Sequence, residues 1–269
     1  MVDFIGIGAQ KAATTWLWSM LRQHPGVRFS PLKEVHYFDV LYLGMGREER
    51  MRAIRRSVDR EIARLDGASE SGRDRLAWLL KVKDESFVFT DAWYEHLFET
   101  SDGALTGDIT PFYCALPDEG IKHVRRLAPQ ARLIYMIRDP VERGLSALRY
   151  GTRNGQSPER VFASKRFLAR GDYRANIPRW ESHFDPGQIL YLPFGDVKVR
   201  PLDILRKVES HIGITAFDGY RHAEAAVNTS GSIEATISDE LAQKVAKVFA
   251  GQREFLERRF GGDFVARIS

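Results

Sequence analysis

From Gly8 to Thr15 the chain reads Gly-Ala-Gln-Lys-Ala-Ala-Thr-Thr. One cation, Lys11, stands among Gly8, Ala9, Ala12 and Ala13, with hydroxyls following at Thr14 and Thr15. A phosphate group needs this combination: backbone N–H groups at a helix start, small residues that permit close approach, a lysine charge and hydroxyl donors. A tight turn would need the glycine but not the rest. In the loop pattern G-x-x-x-x-G-K-[ST] the lysine follows the second glycine and directly precedes the hydroxyl residue. Here Lys11 precedes Thr14 by three positions, so the segment is a different phosphate loop.

Two further segments combine chemically active residues. Lys33-Glu34-Val35-His36-Tyr37-Phe38-Asp39 holds a cation beside two groups able to accept a proton, Glu34 and His36. Arg138-Asp139-Pro140-Val141-Glu142-Arg143-Gly144-Leu145-Ser146 brings guanidinium groups and a hydroxyl together, and charge-assisted hydrogen bonds from such groups to phosphate are of the strong kind.

Positioning these segments requires a scaffold. The apolar run Phe4-Ile5-Gly6-Ile7-Gly8 leads into the Lys11 segment, which is followed by Trp16-Leu17-Trp18-Ser19-Met20-Leu21, the order of a buried parallel strand, a phosphate turn and an amphipathic helix. Residues 132–137 form a continuous apolar run ending at Arg138-Asp139-Pro140, a buried strand that hands over to a helix with Pro140 in its first turn, running to about Arg153. Met51, Ile54, Val58, Ile62 and Leu65 recur at helical spacing within an arginine-rich helix over 47–65, and residues 67–74 read as a loop. The arginines of that helix read as a solvated face with acidic neighbours such as Glu48, Asp59 and Glu61, the alternative being that they meet an acidic acceptor or partner. Thr90 caps a short helix whose Trp93, Tyr94, Leu97 and Phe98 face the core. Helices are expected over 173–184 and 202–212, a strand over 189–192, and a final helix from Asp239 to Phe260 capped by Ser238. Strands separated by helices imply an α/β, three-layer fold with a central parallel sheet, whose ligands bind beyond the carboxyl ends of the strands.

Composition narrows the partners. The 269 residues, 43% hydrophobic, suffice for a sizeable core, and no linker or repeat marks a boundary, so one domain over 1–269 is expected. Lys plus Arg exceed Asp plus Glu, 40 against 36, and the pI is about 9.2. This suits an anionic ligand but is too mild for a nucleic-acid binder. Cys114 is the single cysteine, so no intrachain disulfide forms and no zinc cluster is indicated. No run reaches the length of a membrane span, and a cytoplasmic setting is expected.

Taken together, the segments resemble the sulfotransferase family, most closely its branch of heparan-sulfate-type and bacterial carbohydrate enzymes. The Gly8 to Trp16 stretch is similar to that family's 5′-phosphosulfate loop, which implies that Gly8, Lys11, Ala12, Ala13, Thr14, Thr15 and Trp16 hold the donor, 3′-phosphoadenosine-5′-phosphosulfate. Arg138 to Ser146 resembles R-[DN]-P-x-x-R-x-x-S, implying that Arg138 and Ser146 bind the 3′-phosphate. Arg143, three residues before Ser146, is expected to form a salt bridge that keeps the motif in shape. Lys33 to Phe38 resembles K-E-x-x-[FY]-F, in which the glutamate is the catalytic base. Glu34 takes that role by resemblance, and His36 is the alternative base. Lys33 would lie beside the transferring group, while Lys11 would offset charge on the leaving phosphate oxygen. The implied product is adenosine 3′,5′-bisphosphate, no metal is expected, and the acceptor is a small molecule or glycan.

Two departures from the pattern stand out. In Gly107-Asp108-Ile109-Thr110-Pro111-Phe112-Tyr113, similar to G-[ED]-K-[ST]-P-x-Y, Ile109 replaces a lysine, leaving Asp108 either to orient Lys33 or to end a strand. Around Asn228 the late loop, basic in relatives, has no Lys or Arg between His222 and Lys244. The rival readings are a P-loop kinase or NTPase, disfavoured by the lysine order, and a relative that kept the fold but lost the reaction.

Overall fold

The computed structural model describes residues 1–66, 69–224 and 237–269. In chain order the elements are β1 (Phe4–Gly8), α1 (Thr14–Leu21), β2 (Val27–Phe29), α2 (Tyr37–Tyr42), α3 (Arg47–Ile62), α4 (Glu70–Val82), α5 (Asp91–His96), β3 (Leu105–Ile109), α6 (Asp118–Leu127), β4 (Arg132–Ile137), α7 (Pro140–Arg153), α8 (Pro158–Phe162), α9 (Lys165–Gly171), α10 (Tyr173–Glu181), β5 (Ile189–Pro193), α11 (Phe194–Val199), α12 (Pro201–Ile212), α13 (Asp239–Phe260) and α14 (Gly262–Val265).

The strands form one parallel sheet in the order β2-β3-β1-β4-β5, flanked by helices, as the alternation of strands and helices predicts. β1 and β4 are apolar along almost their whole length because both sheet faces are covered, and every residue of β1 is buried. The central β1 is flanked by β3 and β4, so the loops leaving all three open on the same end of the sheet. Gly107 of β3 makes this packing possible: a Cβ there would come within 2.1 Å of the Phe4 ring. Ile109, where the lysine of the pattern is missing, is buried against Gly6 of β1.

α7 begins as its sequence dictates. Pro140 occupies the first turn, and the Asp139 side chain accepts hydrogen bonds from Val141 N and Glu142 N. Ser238 caps α13, and Thr90 caps α5 by accepting from Trp93 N. The loop expected over 67–74 is corrected beyond its first residues, since a helix starts at Glu70 with Ser69 accepting from Gly72 N. The polar opening of α4 hides its helical character, which rests on Leu79 and Val82 packing into the core.

Candidate functional site

Beyond the carboxyl ends of β1 and β3 lies a cavity of about 790 Å3. The loop between β1 and α1 supplies its floor through Lys11, Ala13, Thr14 and Thr15. Lys11 and Ala13 adopt φ of 71° and 63°, left-handed values that non-glycine residues rarely take, and such strain concentrates at ligand clamps. Ala13 is the N-cap of α1 and offers no side-chain acceptor to the first-turn N–H groups, the arrangement an anion can complete.

Lys11 Nζ sits 4.4 Å above the Tyr150 ring. Burial, followed by the charges of Arg153, Arg138 and Lys33, brings its ammonium down to about 8. Lys33 also faces the cavity and donates from Nζ to Thr15 Oγ1 at 2.8 Å. Arg50, Arg153, Arg166 and Arg170 join Lys11 and Lys33 in the lining, against the carboxylates of Glu34 and Glu49. Such a concave surface favours a polyanion.

Glu34 and His36 form the other wall. His36 is the left-handed N-cap of α2, φ 58°, and this turn aims its buried ring between two carboxylates. Glu34 Oε2 lies 3.1 Å from His36 Nε2, and Asp39 Oδ2 lies 2.6 Å from Nδ1. Burial opposes the imidazolium, yet the hydrogen bonds to Asp39 and Glu34 lift His36 to about 9. Burial would likewise raise Glu34, but His36, Lys33 and Arg50 hold its carboxyl below the ordinary value. Glu34 is therefore an ionised, oriented carboxylate at neutral pH, and His36 has no free lone pair with which to act as a base.

Asp108 does not orient Lys33, whose partner is Thr15. It is buried, accepts from Thr110 Oγ1 at 2.7 Å and Tyr94 OH at 3.1 Å, and is pushed up to about 6 by burial despite these bonds. Thr110 Oγ1 in turn accepts from Val35 N at 3.0 Å. The chain Asp108–Thr110–Val35 thus fixes the backbone next to Glu34 and His36.

The Arg138 segment meets the Lys11 loop directly. Arg138 Nη1 donates to the carbonyl of Lys11 at 2.9 Å, and Nη2 reaches Glu142 Oε2 at 3.3 Å. Its guanidinium lies 4.4 Å from the Phe194 ring centroid, and its carbonyl accepts from Tyr173 OH at 3.0 Å. Ser146 lies one turn beyond Glu142 on the same half-buried face of α7. Neither Arg138 nor Ser146 lines the 790 Å3 cavity; Arg138 adjoins it through its bond to the Lys11 carbonyl. Asp139 is engaged twice, as the α7 cap and with Arg253 at 2.9 Å.

Among the described residues Arg143 does not form the salt bridge expected of it. Its side chain is fully buried, between the rings of Phe167 and Phe249 at 5.6 and 5.3 Å, and among the described residues Nε, Nη1 and Nη2 have no hydrogen-bond partner. α7 turns this residue inward, away from Glu142 and toward the aromatic packing of α9 and α13. Trp16 is also buried, and its indole N–H donates to Ala223 O at 2.9 Å, which tethers the chain just before the late loop. The late loop itself, 227–232, lies outside the described residues.

Sequence reasoning missed Asp39, Arg50, Arg153 and Arg170. The three-residue spacing from His36 to Asp39 was the one available signal, since it places both on one face of a helical turn. The arginines come from α3, α7 and α9, and only the fold brings them together. Among the described residues, no group of three or more His, Cys, Asp or Glu is arranged to hold a metal, and no helix is long and apolar enough to cross a membrane.

A profile described as the Sulfotransferase family matches residues 3–219. Among curated proteins, the chain is similar to bifunctional heparan sulfate N-deacetylase/N-sulfotransferase 1 of Xenopus tropicalis, 28% identical over 35% of this chain and 13% of that protein. It is also similar to heparan sulfate glucosamine 3-O-sulfotransferase 3A1 of Mus musculus, 26% identical over 49% of this chain and 37% of that one. These alignments span well under half of each relative's length. Among solved structures, a sulfotransferase from Alicyclobacillus acidocaldarius superposes with a TM-score of 0.68 at 20% identity, covering 96% of this chain and 95% of that one. The sulfotransferase domain of the Synechococcus PCC 7002 olefin synthase gives a TM-score of 0.56 at 17% identity, covering 93% and 94%. At such identities the likeness is one of fold.

Proposed function

The chain belongs to the sulfotransferase family, and we propose that residues 1–269 act as one domain that moves a sulfuryl group from 3′-phosphoadenosine-5′-phosphosulfate to an acceptor hydroxyl or amine. The observation that carries this reading is the placement of an ionised Glu34, held by His36, in the same cavity as Lys11 and Lys33. The cation-rich lining, the uncapped start of α1 and the depressed Lys11 all fit a donor carrying several phosphate oxyanions.

In this reading the acceptor oxygen attacks sulfur in line while its proton passes to Glu34. The bond between sulfur and the 5′-phosphate oxygen breaks, and the electron pair stays on that oxygen. Lys11 stabilises the charge there, Lys33 holds the transferring group against Thr15, and the 3′-phosphate lies against Arg138 and Ser146. Asp39 and His36 keep Glu34 oriented. The acceptor is a small molecule or glycan that enters from the Glu34 side.

The test is transfer of labelled sulfate from the donor to an acceptor panel. Glu34→Gln is expected to lower turnover by ~10² to 10⁴ while preserving donor affinity. Full turnover in that variant would remove Glu34 from the chemistry.

A further inference from the structure

A second cavity of about 700 Å3 lies at the outer edge of the sheet, enclosed by α1, β2 and the arginine-rich α3. It is distinct from the donor cavity, and Lys33 lines both. Trp18 and Phe29 form an aromatic wall, their centroids 6.1 Å apart, and the Trp18 indole N–H is buried with no partner among the described residues.

The charges of this cavity are unbalanced. Arg28 is neutralised by Asp102 at 2.8 Å, and Arg75 pairs with Glu61. Arg22, Lys33, Arg60 and Arg64 also line it, and among the described residues none of these four has a carboxylate within ion-pair distance. Arg22 lies 4.4 Å over the Trp18 ring, and Arg60 donates to Arg56 O within its own helix. Arg60 follows Ser57 by three positions on α3, and Arg64 sits in the turn just beyond the end of that helix. Ser57 Oγ donates to Pro31 O at 2.8 Å, which pins this face to the turn leading into Lys33 and Glu34. A solvated helix needs neither this concentration of uncompensated cations in a concave space nor a direct link to the catalytic loop.

We propose that this cavity is a subsite for an oxyanion, a carboxylate or sulfate, carried by the acceptor away from its reacting hydroxyl. The proposal rests on the sulfuryl-transfer reading. The acceptor's anionic group meets Arg60 and Arg64, its body lies along Trp18 and past Lys33, and its hydroxyl reaches Glu34. Arg60 and Arg64 then serve as acceptor-selecting residues.

The test is calorimetry on the full chain, wild type beside Arg60→Ala/Arg64→Ala and Arg64→Ala alone. The probes are inorganic sulfate, an oligogalacturonate and its carboxyl-reduced neutral counterpart, with adenosine 3′,5′-bisphosphate titrated in parallel. Both arginines are exposed, so unchanged bisphosphate affinity will show that fold and donor site are intact. The oligogalacturonate is expected to bind wild type and to weaken about tenfold in the double variant, with a smaller loss in Arg64→Ala and no difference for the neutral counterpart. Equal binding by wild type and double variant, equally tight binding of the neutral oligosaccharide, or no oligogalacturonate binding would each overturn the subsite. Binding of inorganic sulfate alone would also overturn it, by making the cavity a site for free anions. Failure of wild type to bind the bisphosphate would strike the donor reading instead.

Discussion

Glu34 Oε2 stands 3.1 Å from His36 Nε2, and the other nitrogen of that ring is held by the buried Asp39. The imidazole is thereby a charged brace between two carboxylates. Glu34 ionises below its ordinary value although burial works against it. His36→Gln is expected to release this hold, so Glu34 titrates at higher pH and the acid limb of the rate profile moves upward with it. Donor affinity should be unchanged. If the profile keeps its acid limb in this variant, the brace does not set the state of Glu34.

Lys11 gives the donor site a pH dependence of its own. Its ammonium is held at about 8, against an ordinary 10.5, chiefly by burial and then by its cationic neighbours. Below pH 8 the charge is present, and as pH rises through about 8 it is lost in the free protein. Affinity for adenosine 3′,5′-bisphosphate should therefore fall above about pH 8, by up to roughly tenfold per unit. Bound phosphate favours the charged amine, so binding near pH 9 should take up a proton, read as a heat that varies with buffer ionisation enthalpy. Lys11→Met should abolish both effects. Constant affinity from pH 7 to 9 would contradict this assignment.

Arg143 is a buried guanidinium with no acceptor among the described residues, and burial lowers its pKa. Replacing it with a residue of similar length and no charge removes the desolvation cost while keeping the packing against Phe167 and Phe249. Arg143→Met is expected to be neutral or to stabilise the fold by ~1–3 kcal/mol in thermal or urea unfolding. A loss of more than about 3 kcal/mol would show that the guanidinium makes bonds essential to the fold.

The legible parts of the sequence were those in which local and global signals agree. β4 and α7 could be read almost to the residue because an apolar run ends at Asp139-Pro140, which both caps and starts a helix. The turn from β1 into α1 was legible because an apolar run ending at Gly8 hands over to small and hydroxyl residues before Trp16 and Leu17. α4 was hidden because its first residues, Glu-Ser-Gly-Arg-Asp-Arg, have the composition of a loop, and only packing makes them helical.

Roles that depend on which way a side chain turns were not legible. Arg143 carries the same motif position whether it faces Glu142 or the rings of Phe167 and Phe249, and only the helix orientation decides. Asp39 looks like an ordinary acidic residue in a first helical turn until the left-handed His36 swings its ring toward it. Asp108 acts through Thr110 on Val35, a link across 73 positions (108 − 35) that no local pattern encodes.

The central claim is that Lys11 and Arg138, joined by a 2.9 Å hydrogen bond from the Arg138 guanidinium to the Lys11 carbonyl, make a site for a nucleotide phosphorylated at both the 3′ and 5′ positions. The most direct measurement is calorimetric titration of adenosine 3′,5′-bisphosphate, ADP and ATP, each with and without Mg²⁺, into wild type and Arg138→Ala. Tight, metal-independent binding of the 3′,5′-bisphosphate that weakens at least ~10-fold in Arg138→Ala is the result this account requires. Preference for ATP with Mg²⁺, or equal affinity in the two proteins, would contradict it.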